Sequence, residues 1–356
     1  MGASPDGSTY SDTPSEHILI QGNADLVDGW VCPRVWTTQI TKKADAGDLI
    51  MSVRAPAGAM GKTAYNAVIG RGVAAIKGNE FIFQTLNKMD SDGYWKKLSA
   101  GSTFESLNSD AIKTAEIKVP DIKEQKKIGD LLFSMDSLIT LHQRKCEKLQ
   151  DLKKSLLEKM FPAEGSNTPS IRFKGFTISW EQRKLSELYK KASRKNDLTY
   201  GKDDIISVAN MYFKEDSYIT DESYLLTYNI FELGDIAFEG NKSKNHAHGR
   251  FVENTIGNGI VSHVFDVFKP IMELYDLQFW KYAINNEQLM GDILLRSTKA
   301  STMMTNLVAN DFLQETFLTP TYPEQQKIGA FFQELDTLIT LHQREAHFKK
   351  TSKAEK

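Results

Sequence analysis

The segment PDIKEQKKIGDLLFSMDSLITLHQR, residues 120–144, has a second version later in the same chain. Residues 320–344 read PTYPEQQKIGAFFQELDTLITLHQR, and the two segments align without a gap at an offset of 200 residues. Both end in the identical heptapeptide LITLHQR. An internal repeat of this kind predicts two structurally equivalent elements within one chain.

A fainter repeat lies upstream of each copy and predicts that a globular unit is duplicated as well. GDLIMSVR at Gly47 is similar to GDIAFEGN at Gly234, and GRGVAA at Gly70 is similar to GNGIVS at Gly257, both at an offset of 187. Differences in offset between the repeats are expected where surface loops differ in length. The chain is therefore predicted to divide into a first globular domain, a helical spacer, a second globular domain and a short distal helical spacer, at residues 1–119, 120–162, 163–319 and 320–356.

The repeated segment has the apolar periodicity of a long helix. One series recurs every seven residues: Ile128, Met135, His142, Leu149 and Leu156. Three leucines, Leu131, Leu138 and Leu152, each lie three positions after a member of that series. This spacing is typical of a coiled coil. At about 1.5 Å per residue, the helix up to Phe161 and Pro162 would span roughly 55 Å.

The distal segment repeats the seam, so each helix is predicted to pack against the other. Its predicted seam residues are Ile328, Phe331, Leu335, Leu338 and His342. His142 and His342 fall at the same polar seam position. A buried polar residue that fixes helix register is the commoner explanation for such a pair, and a catalytic role is the alternative.

The globular segments have strand and turn chemistry. Short apolar runs such as GDLIMSV, GVAAIK, GDIAF and NGIVSHVFDVF are separated by Gly, Asn and Asp, whereas EFIFQTLNKM and ELYDLQFWKYAINN have helical periodicity. The predicted fold class is therefore α/β, with each globular unit a mixed α/β domain containing a curved sheet.

Composition limits the possible functions without selecting one. The chain has 356 residues, 40% hydrophobic and 25% charged, with a net charge of −2. Positive charge for binding nucleic acid must therefore be local. The two cysteines, Cys32 and Cys146, are not clustered with each other or with histidine, which favours reduced thiols and a cytoplasmic location. The sequence contains no run of about 18 apolar residues and no signal-peptide pattern at its start.

Motifs of catalysis and cofactor binding are missing from the sequence. The chain has no GxxxxGK[ST], GxGxxG, GxSxG or HExxH pattern, and its DIAFEGNK segment places Glu239 and Lys242 one residue too far apart for the usual nuclease E-x-K geometry. His246 and His248 would need further ligands to bind zinc. We therefore expect no catalytic residue, no metal and no cofactor on this chain.

Candidate DNA-contacting residues come from the interval after the repeated GD strand in each copy. They are Arg54, Lys62 and Arg71 in the first copy and Lys242, Lys244, His246, His248 and Arg250 in the second. Cationic side chains on such loops contact phosphates, and Arg, Asn and His also reach base edges. A solvated charged loop is the alternative, and composition alone favours it.

The paired Glu-Gln…LHQR helices resemble the central helical region and its distal counterpart in the specificity subunit (HsdS) of type I restriction-modification systems. WEQRKLSELYKK at Trp180 resembles the usual entry into a target recognition domain of that family. The resemblance covers essentially the whole chain. It implies two target recognition domains, each reading one half of a bipartite double-stranded DNA site, joined by antiparallel helices that act as a spacer.

The same resemblance implies partners and a non-catalytic role. In the family the helices dock modification subunits, here expected to number two, which bring S-adenosylmethionine and methylate adenine, and restriction subunits join the full complex. The chain itself would then be a DNA-recognition subunit without a catalytic site. Its helix interface would comprise Ile128, Met135, Leu138, His142, Leu149, Ile328, Leu335, Leu338 and His342.

Two departures from the family pattern leave alternatives open. The first unit has no counterpart of WEQRKLSE, and Lys349 and Lys356 occupy seam positions that Leu149 and Leu156 hold in the first helix. The second helix is therefore expected to be shorter or frayed. A free-standing enzyme with an unrecognised site, and an adaptor or remnant that binds partners without reading DNA, remain the competing hypotheses.

Overall fold

The computed structural model describes residues 1–99, 106–192, 194–215, 221–300 and 304–354, with side chains described as far as residue 348. The described chain divides into two compact units. Unit 1 comprises residues Met1–Arg144 and Gln343–Lys356, and unit 2 comprises Lys145–His342. Each long helix therefore contributes one part to each unit.

Unit 1 is a mixed α/β unit built on two sheets. Its described strands are β1 (Tyr10–Ser11), β2 (His17–Ile20), β3 (Leu26–Val27), β4 (Trp30–Val31), β5 (Val35–Thr37), β6 (Lys43–Ala44), β7 (Leu49–Ser52), β8 (Met60–Lys62), β9 (Ala67–Ile69) and β10 (Val73–Ile76). They form sheets of order β1-β5-β2-β9-β6 and β10-β7-β8-β4-β3. The described helices of its globular part are α1 (Glu80–Ser91), α2 (Tyr94–Ser99) and α3 (Ser109–Lys113).

The first long helix, α4, runs from Ile122 to Lys159 without interruption. The globular part of unit 2 follows with strands β11 (Glu181–Lys184), β12 (Tyr189–Ala192), β13 (Ile206–Ser207), β14 (Tyr212–Phe213), β15 (Asn229–Phe231), β16 (Ile236–Glu239), β17 (Arg250–Glu253), β18 (Gly259–Val261), β19 (Val267–Pro270), β20 (Thr298–Ala300), β21 (Thr305–Leu307) and β22 (Thr316–Thr319). Its helices are α5 (Leu185–Leu188), α6 (Leu277–Ala283), α7 (Glu287–Ser297), α8 (Ala309–Gln314) and the second long helix α9 (Tyr322–Ala354).

The main sheet of unit 2 has the order β12-β19-β16-β17, and β11 pairs with β22 in a separate two-stranded sheet. The core against this sheet is aromatic: Phe251 and Phe312 lie with ring centroids 4.5 Å apart, and Phe268 lies 5.1 Å from Phe312. Aromatic rings bury large apolar areas, so this cluster supplies much of the stability of unit 2. The predicted mixed α/β fold class is confirmed.

Strand pairing corrects one of the two short upstream matches. β7 and β16 correspond at the offset of 187, and each carries an antiparallel partner: Leu49 pairs with Ile76 of β10, and Ile236 pairs with Phe268 of β19. β10 therefore corresponds to β19, whereas Gly259 belongs to β18, which pairs with β15. The alignment of GRGVAA with GNGIVS was wrong, because it matched β10 with β18, which is not its equivalent. Two glycine-flanked strands follow one another in each unit, so the short sequences look alike.

The invariant features of the repeated Pro…Glu-Gln…Lys-Ile-Gly segment have structural roles. The Gln125 amide donates to the carbonyl of Pro120 at 2.9 Å, and the Gln325 amide donates to the carbonyl of Pro320 at 3.1 Å. Each bond fixes the chain as it enters a long helix. The glycine four positions after each glutamine lets the long helix lie close to the N-terminus of a helix in the domain before it. Gly129 lies against α1, and Gly329 lies against α6.

The two long helices run antiparallel within unit 2. Lys153 of α4 pairs with Asp336 of α9 at 2.5 Å, and just beyond the end of α4 Phe161 stacks on Phe332, with centroids 6.3 Å apart. The Tyr282 hydroxyl also donates to Asp336 at 2.6 Å, and burial of the ring, followed by this hydrogen bond, raises the pKa of Tyr282. The predicted antiparallel arrangement is confirmed. α9 has 33 residues against 38 for α4.

Candidate DNA-contacting surfaces and helix interface

In unit 1 the structure brings two of the three predicted arginine and lysine residues to one end of a strand pair. The Val53 amide donates to the Gly72 carbonyl at 2.9 Å and continues the pairing of β7 with β10. The next residues on either side are Arg54 and Arg71, and both are exposed. Neither guanidinium forms an ion pair with a described residue, so both remain available to an anion.

Lys62 lies at the opposite end of β7, where it pairs with Leu49, and its ammonium is already engaged. Its Nζ donates to Glu80 at 2.7 Å, and only 12% of its side chain is exposed. The ammonium also lies 4.6–4.7 Å from three ring centroids, those of Trp30, Phe83 and Phe133. These contacts satisfy the charge and favour a structural role. We therefore do not retain Lys62 among the proposed DNA contacts.

In unit 2 the corresponding strand end carries a loop with a tight tip. β16 pairs with β17, with Glu239 opposite Arg250, and residues 240–249 connect them. Within the loop, Ser243 and His246 exchange backbone hydrogen bonds of 3.0 and 3.3 Å. Lys242 and Lys244 are exposed and form no ion pair with a described residue. Because Ser52 and Glu239 are equivalent, Arg54 in unit 1 and Lys242 and Lys244 in unit 2 follow the same strand of the repeat.

The base of this loop is held by close backbone contacts. The Thr305 amide donates to the Gly240 carbonyl at 2.8 Å, and its hydroxyl donates to the His248 carbonyl at 2.9 Å. A Cβ on Gly240 would lie 2.2 Å from the Thr305 carbonyl oxygen. Gly249 has a φ of +81°, a conformation that favours glycine. The loop therefore presents Lys242 and Lys244 from a fixed base.

Arg250 differs from these lysines because its charge is neutralised within unit 2. Its Nε donates to the largely buried Glu239 at 2.7 Å, and its terminal nitrogen donates to the Ala209 carbonyl at 2.8 Å. The second bond fixes the turn between β13 and β14. Arg250 thus positions neighbouring backbone, although part of its guanidinium remains exposed.

The two loop histidines face different clefts. His246 Nδ1 lies 3.0 Å from a Glu287 carboxylate oxygen, at the edge of a cleft of about 970 Å³ that also includes Lys154 and Asp336. His248 lines a separate cleft of about 680 Å³ with Gln182 and Arg296. Among the described residues, neither histidine belongs to a group of three metal-ligating side chains. His248 remains a proposed DNA contact with less exposure than the lysines.

The sequence did not identify two exposed aromatic residues in β14, the strand that follows the turn bound by Arg250. Tyr212 and Phe213 form β14, and both are exposed. Exposed aromatic rings beside cationic groups are suited to stacking and apolar contacts with bases. Their sequence signal was weak, because a two-residue strand in NMYFKED gives no periodicity. They join the candidate surface of unit 2.

The buried seam of the long helices differs from the predicted one. Ile128, Met135, His142 and Leu149 are half-buried, and the buried positions that follow lie four residues later, as at Ile139 and Cys146. Leu138 is 42% exposed, and the equivalent Leu338 is 38% exposed. Placing Leu138 and Leu338 in the seam was wrong. The series that begins with Ile128 occupies position d of the coiled-coil heptad. From position d, the next seam residue lies four positions later and not three.

The second helix follows the corrected seam. Its buried apolar side chains are Ile328, Phe332, Leu335 and Ile339, while His342 is half-buried. In unit 1, His142 Nδ1 of α4 lies 2.8 Å from a Glu345 carboxylate oxygen of α9, which supports a structural role for His142. The seam positions Lys349 and Lys356 lie outside the described side chains.

The corrected register leaves an apolar stripe on the surface of α4. Its exposed members are Leu131, Leu138, Leu141 and Leu152, and α9 exposes Leu338 and Leu341 at the equivalent of two of these positions. Exposed apolar side chains in a series along a helix are typical of a surface that binds another protein. Within the described residues, no helix is long and apolar enough to cross a membrane.

Unit 2 buries two acidic groups whose pKa values are raised. Burial raises the pKa of Asp235 from 3.8 to about 6, and burial raises the pKa of Glu253 well above its ordinary value. Asp235 Oδ2 accepts from the Glu232 amide at 2.9 Å, but Oδ1 has no hydrogen-bond partner among the described residues. Its equivalent in unit 1, Asp48, pairs with Lys77 at 2.7 Å.

Asp235→Asn is expected to stabilise the chain near neutral pH. An acid with a raised folded-state pKa costs stability as pH rises from its unfolded value of 3.8 to about 6, because the unfolded chain loses its proton first. We expect a gain of about 1–3 kcal/mol at pH 7 that vanishes below pH 4. Urea unfolding of variant and wild type across this range measures it.

Asp48→Asn is the matched control for that experiment, because Asp48 is paired with Lys77. It is expected to give no gain at any pH. An Asp235→Asn variant whose stability follows the wild-type pH profile throughout would contradict the assignment of a raised pKa to this group.

The sequence is similar to that of known proteins over much of its length. Residues 38–151 match the family described as the type I restriction modification DNA specificity domain. The type I restriction enzyme MjaVIII specificity subunit of Methanocaldococcus jannaschii is 22% identical over 292 residues, covering 74% of this chain and 65% of that protein. A further M. jannaschii protein, MjaX, assigned to the same class, is 29% identical over 163 residues, or 44% of this chain.

The fold comparison agrees with these matches. The crystal structure of the type I restriction-modification S subunit from M. genitalium superposes with a TM-score of 0.62 at 14% identity, covering 99% of this chain and 90% of that one. The chain is thus similar in sequence to type I restriction-modification specificity subunits and has the fold of the M. genitalium S subunit, in agreement with the resemblance of its paired helices. The matched segments span only 38% and 65% of the lengths of MjaX and MjaVIII.

Proposed function

We propose that this chain is a non-catalytic DNA-specificity subunit of a cytoplasmic type I restriction-modification complex. Its globular domains, residues 1–119 and 163–319, each read one half of a bipartite, gapped double-stranded DNA site. The helical segments, residues 120–162 and 320–356, set the distance between the halves. The observation that carries this proposal is that free cationic side chains follow the same strand in both copies of a duplicated unit.

Each half of the site is assigned its own contacts. Arg54 and Arg71 contact the half read by the first domain, and Lys242, Lys244, His248 and Arg250 contact the other half. Lysines at an exposed loop tip favour phosphate contacts, whereas arginines also bind guanine bidentately. Tyr212 and Phe213 add apolar contacts. The near-neutral net charge is compatible with this role because partner subunits contribute to the DNA grip.

Modification subunits, two per specificity subunit, are proposed to dock on the exposed apolar stripe of α4 and on the equivalent residues of α9. Leu138 and Leu338 then belong to the partner-binding surface and not to the seam between the helices. Adenine methylation would be carried out by those subunits, and restriction subunits would join the full complex. This chain supplies sequence recognition and helical docking surfaces.

Charge reversal at one strand end tests the DNA assignment. The double variant Arg54→Glu/Arg71→Glu, assembled with modification subunits, is expected to weaken specific binding on the order of tenfold or more and to lower the salt slope of log K by about 2. Lys242→Glu/Lys244→Glu is expected to act similarly through the other half-site. Fluorescence anisotropy at several salt concentrations measures both quantities.

Lys62→Gln is the control, since its ammonium is engaged by Glu80. It is expected to leave the salt slope unchanged even where it lowers stability. Unchanged DNA affinity and salt slope in both double variants, with the complex intact, would refute the proposed contact surfaces.

A further inference from the structure

Unit 2 buries a carboxylate at the end of the strand that leads into its cationic loop. Glu239 is the last residue of β16, and only 10% of its side chain is exposed. A carboxylate at a surface that faces DNA repels phosphates and therefore lowers affinity. Phosphate binding by the neighbouring Lys242 and Lys244 thus does not account for an acidic residue at this position.

Arg250 covers this carboxylate and is itself held at two points. Its Nε donates to Glu239 Oε2 at 2.7 Å, and its Nη2 donates to the Ala209 carbonyl at 2.8 Å. Glu239 and Arg250 are directly opposite each other on β16 and β17, so the two side chains leave the same face of the sheet. The orientation of the guanidinium is therefore fixed by a cross-strand carboxylate and by the turn before β14.

The end of the fixed guanidinium remains available to a ligand. An arginine has five N–H donors, and the two hydrogen bonds use one at Nε and one at Nη2. Within the described part of the chain, Nη1 of Arg250 has no hydrogen-bond partner, and 26% of the side chain is exposed. Donors on two neighbouring nitrogens match the O6 and N7 acceptors of guanine in the major groove. Because the side chain is already held, binding a base costs it less conformational entropy.

The elements on either side of Arg250 carry side chains that suit DNA. The turn that Arg250 binds leads into Tyr212 and Phe213, both exposed. The loop that leads into Arg250 carries the exposed Lys242 and Lys244. Lysines of this kind contact phosphates and fix the position of a duplex, whereas a fork of donors selects a base.

Unit 1 has different chemistry at the same strand end. Glu239 corresponds to Ser52 at the offset of 187, and the register of β7 with β8 places Ala59 opposite Ser52. The Ser52 amide donates to the Ala59 carbonyl at 2.8 Å, so Ala59 occupies the position of Arg250. A serine and an alanine cannot form an ion pair. The two units therefore offer different groups to DNA at this register.

We propose that Arg250 reads a guanine in the half-site bound by the second domain, and that Glu239 is the positioning residue that fixes its guanidinium. This role rests on the proposed function and adds to it the base that is read. The pair of side chains has no net charge. It therefore contributes to base selection, while Lys242 and Lys244 supply the general attraction for phosphates.

The test uses the full chain assembled with modification subunits, and mapping of methylated adenines first identifies the motif. Glu239→Gln/Arg250→Gln removes the donor fork without leaving a buried charge unpaired. This double variant is expected to make one guanine position degenerate in one half of the motif. The affected half should be the one whose recognition Arg54→Glu/Arg71→Glu does not alter.

Modified duplexes test the contact at the level of single atoms. Replacing that guanine by 7-deazaguanine, which lacks the N7 acceptor, is expected to weaken wild-type binding on the order of tenfold. The same replacement is expected to leave binding by Glu239→Gln/Arg250→Gln unchanged. Glu239→Gln alone keeps an acceptor for Nε and should retain the discrimination, whereas Glu239→Leu should lose most of it. Fluorescence anisotropy measures each affinity, and circular dichroism establishes that each variant is folded.

Lys242→Gln is the contrasting variant on the same surface. It is expected to weaken binding to the guanine and 7-deazaguanine duplexes equally and to lower the salt slope of log K by about 1. Glu239→Gln/Arg250→Gln removes one charge of each sign, so it is expected to leave the salt slope unchanged while it abolishes the preference for guanine.

A gapped motif that Glu239→Gln/Arg250→Gln leaves unchanged at every position would overturn this role of Arg250, and the proposed function would stand. Equal wild-type affinity for unmodified duplexes and for duplexes with 7-deazaguanine at each guanine of that half would overturn it as well. A folded double variant that loses affinity for all duplexes alike would assign the pair a structural role only. A wild-type complex that methylates no gapped motif would refute the proposed function, and the role of Arg250 with it.

Discussion

Arg172→Ala is expected to lower the free energy of unfolding by about 3–5 kcal/mol, the range for removing one partner of a buried ion pair. Glu324 is completely buried, and its two carboxylate oxygens accept from Arg172. Without the guanidinium, the carboxylate either stays charged in an apolar environment or binds a proton. The Ile178 carbonyl also loses its donor.

Urea unfolding followed by circular dichroism measures the loss, and hydrogen exchange in β11 and β22 locates it. Glu124→Ala is the matched control, because the same repeat position is exposed in α4 and the substitution is expected to change stability by less than about 0.5 kcal/mol. A loss below about 1 kcal/mol for Arg172→Ala would show that the ion pair does not hold the segment around Arg172 on the start of α9.

Gly329→Ala is expected to cost about 1–3 kcal/mol, the range for overpacking a well-packed contact. An added Cβ would lie 2.5 Å from Asp276 Oδ1 and 2.6 Å from the Phe279 amide nitrogen. Those two atoms form the N-cap hydrogen bond of α6, at 2.8 Å. The substitution therefore displaces α9 from α6 or breaks the cap, which is worth about 1 kcal/mol by itself.

Gly129→Ala is the paired variant with an opposite balance. Its Cβ would lie 3.0 Å from the nearest atoms, the Glu80 Cβ and the Phe81 amide nitrogen. Alanine gains up to about 1 kcal/mol of helix propensity over glycine, so the net change is expected to be near zero. Thermal unfolding of both variants measures their losses of stability. Equal losses would mean that the distance from the added Cβ to the neighbouring helix does not determine the change in stability.

Much of the fold was predictable because it follows from repetition and period. Two aligned segments ending in LITLHQR predicted two equivalent helices, and proline at residue 162 predicted where the first one ends. The register of the seam was not predictable with the same certainty. Leu138 and Ile139 are adjacent apolar residues, and only packing selects Ile139 for burial.

The candidate site was predictable by residue type and less so by geometry. Arg54 and Arg71 are 17 positions apart in sequence, and strand pairing brings them to one end of β7 and β10. Lys62 has the same charge, but three aromatic rings and Glu80 enclose it. Nothing in the spacing of those rings identifies them as neighbours, since they come from three separate elements.

The proposed function requires that this chain determines which DNA sequence the modification subunits methylate. Co-expression with the neighbouring modification subunit, followed by genome-wide mapping of methylated adenine, measures this dependence. The expected result is a gapped, two-part motif that appears only when this chain is present, with recognition of one half altered by Arg54→Glu/Arg71→Glu. An assembled complex that methylates no motif, or one whose motif is unchanged without this chain, would contradict the claim.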